Sequence, residues 1–336
     1  MANIGVIGSG TWGTAIAVLL HNNGHQVDLW SAIPAEIDEM KATLKHKNLP
    51  DIVLPENICY TTDLEAAMKN KDLLVLAVPS VFVRSTARRM KEFCNDGQII
   101  VDVAKGIEED TLMTMTQIIK DEIPQCEPAA LSGPSHAEEV SRGLLTTCVA
   151  GSHKKEVAEY IQSLFMSPAF RVYTSPDVLG IEVGAALKNV VALAAGIADG
   201  FGLGDNTKAA LITRGIAEIG RLGTAMGGKV QTFNGLTGIG DLIVTCASMH
   251  SRNRRAGILI GKGYTMDEAM EEVQMVVEGV YSAKAALALS KKYNVPMPIV
   301  EQVNAVLFEN KSAKDAITDL MLRDKKSEHS ALSWEE

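Results

Sequence analysis

Five short stretches of this 336-residue chain hold residue types that could do chemistry. In "VGAALKNVVALAAGIA" (183–198) only Lys188 and Asn189 are neither apolar, Gly nor Ala. Burial disfavours an ammonium and lowers its pKa, so a lysine there pairs with an anion, works as an acid/base, or snorkels its stem to water. "GVIGSGTWGTA" sets Gly8, Gly10 and Gly13 in GxGxxG register after an apolar run and before a helical one. Gly8 would make a tight turn, Gly10 would let backbone approach a pyrophosphate, and Gly13 would let helix and strand pack closely. The pyrophosphate of a dinucleotide would then rest on amides at the helix N-terminus. In "VDVAKGI", Lys105 and Gly106 follow a predicted strand at the edge where ligands bind in parallel sheets, although an exposed loop lysine reads the same way.

The other two stretches are anion sites in outline. In "SGPSHAEEV", Gly133 and Pro134 turn the chain, and Ser135 with Glu138 has capping-box spacing. The amides of Ser135, His136 and Ala137 would face an anion, or the segment is simply a well-capped helix. His136 has no spaced partner carboxylate and could equally be a packing residue. "GIGDLIVTCASMHSRNRRAG" combines Asp241 and Thr245 with Ser251, Arg252, Asn253, Arg254 and Arg255. A guanidinium fork binds phosphate bidentately, and an adjacent amide adds orientation. Three arginines within four helical positions cannot share a face, so one or two belong to a site. A basic surface helix is the plain alternative. His21 and His25 are four apart, but Gly24 ends the helix between them, so no metal is expected.

The elements that must position these residues follow from patterning. Apolar runs at 3–8, 26–30, 58–61, 73–78, 98–103, 128–131 and 146–151 alternate with helical segments, as in a mostly parallel α/β sheet. Gly24 sits where a C-terminal cap belongs, and Thr62 with Glu65 has capping-box spacing. From Pro176 onward the chain is rich in Ala, Leu and Gly at helical spacing with no alternating strand. The prediction is a Rossmann-like dinucleotide-binding domain, 1–176, followed by an all-α substrate-binding domain, 177–336, with the polar tail from Arg323 frayed. Along the Lys188 helix, Gly184, Ala185, Ala192 and Ala195 line the lysine's face and would leave volume for a ligand. Val183, Leu187, Val190 and Ile197 form a bulky core face. A dinucleotide site usually adds an acid about 20 residues after the glycines, for the adenosine ribose. Here Ser31, Ala32 and Ile33 occupy that place, and Asp28 inside the strand reads as structural, so NADH and NADPH stay undecided.

Composition narrows the class. A hydrophobic content of 46% with 22% charged residues is that of a globular protein, and a formal charge of −9 argues against nucleic acid or an anionic membrane as partner. No uninterrupted run of about 20 apolar residues and no signal-peptide pattern opens the chain, so membrane insertion is not expected and a cytoplasmic place is. Cys59, Cys94, Cys126, Cys148 and Cys246, odd in number and without a CxxC pair, fit reduced thiols rather than disulfides or zinc.

In this order, "GSGTWGTA", "VPS", "AKGIE", "SGPSHAEEV", "GAALKNVVALAAGIADGFGLGDNTKAALITRG", "GLTGIGDLIVTC", "SRNRRAG" and "VVEG" closely resemble the bacterial-type NAD(P)-dependent glycerol-3-phosphate dehydrogenases. The resemblance implies reversible reduction of dihydroxyacetone phosphate to sn-glycerol 3-phosphate, supplying phospholipid synthesis, with NADH or NADPH as cofactor and a homodimeric enzyme. By the same resemblance Lys188 is the proton acceptor in the oxidation direction, and Lys105 contacts substrate and cofactor. Gly133, Ser135, Asp241, Ser251, Arg252 and Asn253 match substrate contacts, while Thr11, Trp12, Ala137, Arg252, Val276 and Glu278 match cofactor contacts. The site expected is therefore Lys188 as general acid/base, Lys105 and Asn189 orienting the carbonyl, Arg252 with Asn253 on the phosphate, and Asp241 and Thr245 beside Lys188. Two departures stand out. Many members carry a basic residue where Ser31, Ala32 and Ile33 stand, and often an aromatic residue where His136 stands. A β-hydroxyacid dehydrogenase is the neighbouring enzymatic reading, set apart by "SRNRRAG" with "SGPS", and a dinucleotide-sensing module would not need the buried polar pair.

Overall fold

The structure, a computed structural model, describes residues 1–325, 327 and 328. Most of the polar tail expected to fray, residue 326 and residues 329–336, lies outside them. Eight strands form one sheet: β1 (Asn3–Ile7), β2 (Gln26–Trp30), β3 (Cys59–Thr61), β4 (Leu73–Leu76), β5 (Ile99–Asp102), β6 (Glu127–Ser132), β7 (Thr146–Gly151) and β8 (Phe170–Ser175). Their order is β3-β2-β1-β4-β5-β6-β7-β8, parallel throughout except where β7 runs antiparallel to β6. The first six strands thus have the doubly wound 3-2-1-4-5-6 order of dinucleotide-binding sheets.

Unbroken apolar runs make the central strands because both faces are covered. In β4, Leu73 and Val75 pack into the core on one face, and Leu74 and Leu76 into the core on the other. β8 was not expected from the sequence. In it Phe170 and Val172 are buried while Arg171 and Tyr173 are exposed, the alternation of an edge strand covered on one side only.

Two capping predictions are corrected. The helix Leu64–Met68 is capped by Asp63, whose carboxylate accepts from the Ala66 amide, not by Thr62 with Glu65. The helix Ala137–Ser141 has His136 at its N-cap without a side-chain cap, and the Ser135 hydroxyl instead turns back to donate to the Gly133 carbonyl. In both, the chain enters the helix one residue later than the spacing implied, so the predicted capping pair does not form. Gly24, at φ +85°, ends the first helix as expected.

Among the described residues no strand follows Ser175. The helix Val178–Gly200 runs through the middle of the second core, and from Val178 to Ala198 every residue but Leu179 is buried. It is 23 residues long and apolar enough to cross a membrane, yet 89% of that apolar window is buried within the fold. Asp177 caps it, accepting from the Gly180 amide.

Its small residues do a different task from the one predicted. A side chain at Gly184 would meet the Thr237 carbonyl at 2.7 Å, and none of Gly184, Ala185, Ala192 or Ala195 lines either of the two clefts described below. Further along, Gly196 and Gly200 face Gly257 and Gly261 of the helix Arg252–Gly261, and a Cβ at any of the four would run into backbone of the opposite helix. Glycines four apart on both helices let the axes approach until backbone touches backbone, so the small face serves helix packing and leaves no ligand volume.

We predict that Gly196→Ala lowers stability by about 1–3 kcal/mol, because neither backbone can retreat from the added methyl. Chemical denaturation measures it, and an unchanged midpoint would refute the packing assignment.

Candidate active site

A cleft of about 570 Å³ opens at the carboxyl edge of the sheet, between it and the helical part. Its walls carry Gly10, Thr11, Trp12, Lys105, Ser135, His136, Ala137, Lys188, Asn189, Thr245, Ser251, Arg252, Asn253, Val276 and Glu278. Those fifteen residues come from both ends of the chain. A larger cleft, about 670 Å³, lies among the later helices, is mostly apolar, and holds none of the predicted site residues.

At the centre, one carboxylate holds two ammonium groups. Asp241 begins the helix Asp241–Ala247 and is 1% exposed. Its Oδ1 accepts from Lys188 Nζ at 2.7 Å, and its Oδ2 from Lys105 Nζ at 2.7 Å. Lys188 also donates to the Thr245 hydroxyl at 2.7 Å, and Lys105 to the Gly133 carbonyl at 3.0 Å. Lys188 does not snorkel; it is 5% exposed. Burial pushes it down to about 8, against the attraction of Asp241 and with help from the Lys105 charge. Burial pushes the Asp241 carboxyl up, but the two lysines outweigh it and hold it below its ordinary value.

The neighbouring amides are braces. Asn189 donates to the Lys105 carbonyl at 3.1 Å and accepts from Asn253 Nδ2 at 2.9 Å, while the Asn253 oxygen accepts from the Gly279 amide at 2.8 Å. This chain ties the Lys188 helix, the loop after β5 and the helix Glu278–Lys292 together. The buried Glu278 carboxylate accepts from the Ser80 amide and hydroxyl, and burial pushes its acid strength down. Gly133 keeps φ +150° with a would-be Cβ at 2.9 Å from the Thr147 carbonyl, so its carbonyl stays aimed at Lys105.

The arginines divide as helical geometry requires. Arg254 turns away to Asp199 and the Ala247 carbonyl. Arg252 and Arg255 reach the cleft. Among the described residues Arg252 has no hydrogen bond or ion pair, and Arg255 Nε is buried without a partner. Ser251 caps their helix by accepting from the Arg254 amide, which leaves the first amides of that helix free of intrahelical partners. Two guanidinium groups and a helix N-terminus facing one cavity suit a phosphate.

The glycine loop fits a dinucleotide. Gly8, at φ +123°, turns against Ala77 and Val78, with a would-be Cβ 2.7 Å from the Ala77 backbone; Gly13 packs on the Gly8 carbonyl. Gly10 faces open space, with nothing within 4 Å of a would-be Cβ. The helix Thr11–Asn22 has no side-chain cap, and the Trp12 indole N–H is buried without an acceptor beside the cleft. Asp28 is structural, paired with Lys71 at 2.6 Å.

Several cleft residues had no sequence signal of their own: Glu36, His46, Lys47, Asn48, His250 and Met275. Asn48 donates to the Thr11 hydroxyl across 37 residues, a contact only topology creates. The His136 ring lies tilted against that of His250, centroids 5.7 Å apart, and its buried Nε2 has no partner among the described residues. Burial, with the charges of Lys188 and Lys105, pushes His136 down to about 4, so it sits in the site as a neutral imidazole near pH 7.

Comparison with known proteins identifies the family. The family described as NAD-dependent glycerol-3-phosphate dehydrogenase matches in two parts, its N-terminus over residues 3–158 and its C-terminus over residues 177–318. A glycerol-3-phosphate dehydrogenase (NAD(P)+) of Agathobacter rectalis is 63% identical over 335 residues, covering 99% of this chain and 100% of the relative. One from Fusobacterium nucleatum is 63% identical over 331 residues, covering 98% and 99%. The crystal structure of glycerol-3-phosphate dehydrogenase from Coxiella burnetii superposes with a TM-score of 0.92 at 35% identity, covering 96% of this chain and 99% of that one.

Replacing Asp241 by Asn leaves the buried Lys188 ammonium and the half-buried Lys105 ammonium without their anion. We expect a loss of about 3 kcal/mol at neutral pH, read by denaturation. The loss should shrink above pH 8, where Lys188 sheds its proton; a pH-independent loss would contradict the shared-carboxylate picture.

Proposed function

The chain belongs to the NAD-dependent glycerol-3-phosphate dehydrogenase family, and from that premise we propose how its cleft works. The protein is an oxidoreductase that interconverts dihydroxyacetone phosphate and sn-glycerol 3-phosphate with NAD(P)H or NAD(P)+. In the proposed arrangement the domain of residues 1–176 holds the dinucleotide and the helices that begin after residue 176 close over the substrate. Gly10, Thr11 and Trp12 of the glycine loop would hold the dinucleotide's pyrophosphate, with Gly8 and Gly13 shaping that loop by their close packing, and Lys105, Ala137, Arg252, Val276 and Glu278 would supply its further contacts. When bound, it supplies or accepts the hydride at the substrate's central carbon.

The remaining work falls to the chain's own side chains. Arg252 takes the substrate phosphate, helped by the helix N-terminus at Ser251 and Asn253; an unpaired guanidinium in a cleft is what supports this assignment. Lys188 gives a proton to the ketone oxygen as hydride arrives, and takes it back in the reverse direction. Lys105 polarises the same oxygen, and Asn189 acts by fixing the Lys105 backbone and Asn253. Asp241, Thr245, Gly133 and Ser135 hold the two lysines in register. The single observation that carries the reading is the buried Lys188 ammonium, shifted to about 8 and aimed into a cleft that also presents a second lysine and two arginines. A general acid/base works best with a pKa near the operating pH.

A homodimer, a cytoplasmic place and a role in supplying phospholipid synthesis belong to the same proposal and rest on the family resemblance. The five free cysteines support a reducing compartment. Light scattering in solution measures the first.

Lys188→Met should fold and bind reduced dinucleotide while turnover falls by about 10²–10⁴-fold, the usual worth of a positioned acid/base. Near-normal turnover would sink the assignment. In the parent enzyme, ketone reduction needs the ammonium, so its kcat/KM, which reports the free enzyme, should decline as pH rises through about 8. Alcohol oxidation needs the free amine and should rise over the same interval. Steady-state pH profiles in both directions test the sign, and parallel profiles would exclude Lys188 as the titrating group.

A further inference from the structure

The reading of the cleft leaves open which dinucleotide it takes, and the adenosine end of the glycine loop bears on that choice. The position that usually carries the ribose-binding acid is Ser31, immediately after β2, and its hydroxyl is buried. That hydroxyl donates at 2.9 Å to Oε2 of Glu36, and the Ser9 hydroxyl, between Gly8 and Gly10, donates to the same oxygen at 2.8 Å. Glu36 sits in the first turn of the helix Pro34–Thr43, and its side chain reaches back to the end of β2. The carboxylate is thereby pinned between the glycine loop and the strand end, and it lines the cleft beside Gly10 and Thr11. Both hydroxyls use Oε2, so Oε1 is left without a protein donor among the described residues.

We propose that Glu36 selects NADH over NADPH by accepting the hydroxyls of the adenosine ribose. The proposal rests on the dinucleotide reading of this cleft. An acceptor with a free oxygen, fixed next to the phosphate-binding loop, is what a ribose 2′-hydroxyl requires. A 2′-phosphate brings close to two negative charges and no donor near neutral pH, so the same carboxylate repels it. The charges around this end do not reverse the preference. His46, buried nearby, is pushed down by burial and stays neutral near pH 7. Glu39 adds to the negative side of that histidine's surroundings. Lys47 also lines the mouth, but it is exposed and no hydrogen bond fixes it among the described residues. A solvated lysine on a free stem recovers little of the repulsion from a fixed carboxylate.

The test is equilibrium binding of NADH and of NADPH to the full chain, read by fluorescence of the reduced nicotinamide and repeated with 5′-AMP and 2′,5′-ADP by calorimetry. We expect NADH to bind at least tenfold more tightly than NADPH, and 5′-AMP more tightly than 2′,5′-ADP. Glu36→Gln keeps an acceptor for Ser9 and Ser31 while removing the charge. It should tighten NADPH, weaken NADH slightly, and narrow the ratio at least fivefold with an unchanged melting temperature. Lys47→Ala should leave the preference for NADH in place. Equal or NADPH-favouring binding by the parent chain overturns the assignment, as does a Glu36→Gln effect that is the same for both cofactors. Failure of either dinucleotide to bind overturns the dinucleotide reading itself, and the role of Glu36 with it.

Discussion

One buried carboxylate serves two lysines, and the cleft is organised around that shortage. Asp241 neutralises Lys188 or Lys105, not both, so the lysine pair carries excess positive charge, while Glu278 and Glu138 partly offset Arg252 beside it. Inside a closed core such an excess would be removed by deprotonation or would unfold the region. In a cleft it is met by whatever anion enters. The partial compensation also sets the reactivity of Lys188: a full complement of carboxylates would hold its proton too firmly, and none would strip it off altogether. In the arrangement proposed above, a phosphorylated ketone that develops negative charge on its oxygen answers both needs of the site, with its phosphate on Arg252 and its oxygen on the lysines.

The three members of that cluster come from separate elements, so docking of the helical part onto the sheet is a precondition for chemistry. Lys105 stands three residues beyond β5, Lys188 in the interior of the long helix, and Asp241 at the start of a helix that follows a π-helical turn, Leu236–Gly240. The docking bonds share one pattern. Glu182 of the long helix accepts from the Thr114 hydroxyl and from the Thr116 amide and hydroxyl, Glu278 accepts from Ser80, and Asn189 donates to the Lys105 carbonyl. Each places a buried side chain of the helical part on backbone or hydroxyl groups of the sheet part, and two of the three are carboxylates. A carboxylate buried with several donors is stable only in the docked state, which makes the alignment of the two parts close to all-or-none. The glycine contact between the long helix and Arg252–Gly261 extends the same logic, since it fixes the distance from Lys188 to the arginine pair.

Patterning in the chain reveals most of the sheet because strands buried on both faces are nearly pure apolar runs. β8 escapes that rule, since only Phe170 and Val172 are covered and its exposed half looks like loop. Lys188 was legible for a related reason: a cation inside an apolar helix violates the pattern, and violations mark function. The small residues around it were read as ligand volume and turned out to be helix contacts. Periodicity tells which residues share a face but not what covers that face. The capping boxes at Thr62 and Ser135 failed by one residue, which is the resolution of a spacing rule when the dihedral of the entering residue is unknown.

The adenosine end shows a deeper limit. The dinucleotide fingerprint places an acid at the end of the second strand because that is where the ribose lies, and a search by position finds only Ser31, Ala32 and Ile33. The requirement is spatial. A residue on the third position of the next helix can satisfy it if its side chain folds back, and Glu36 does so because Ser9 and Ser31 both offer hydroxyls to the same point. In sequence Glu36 looks like an ordinary acid complementing a helix N-terminus behind Pro34. The serines that displaced the expected acid are the ones that hold its substitute, so the departure from the fingerprint and its compensation are one arrangement seen at two positions.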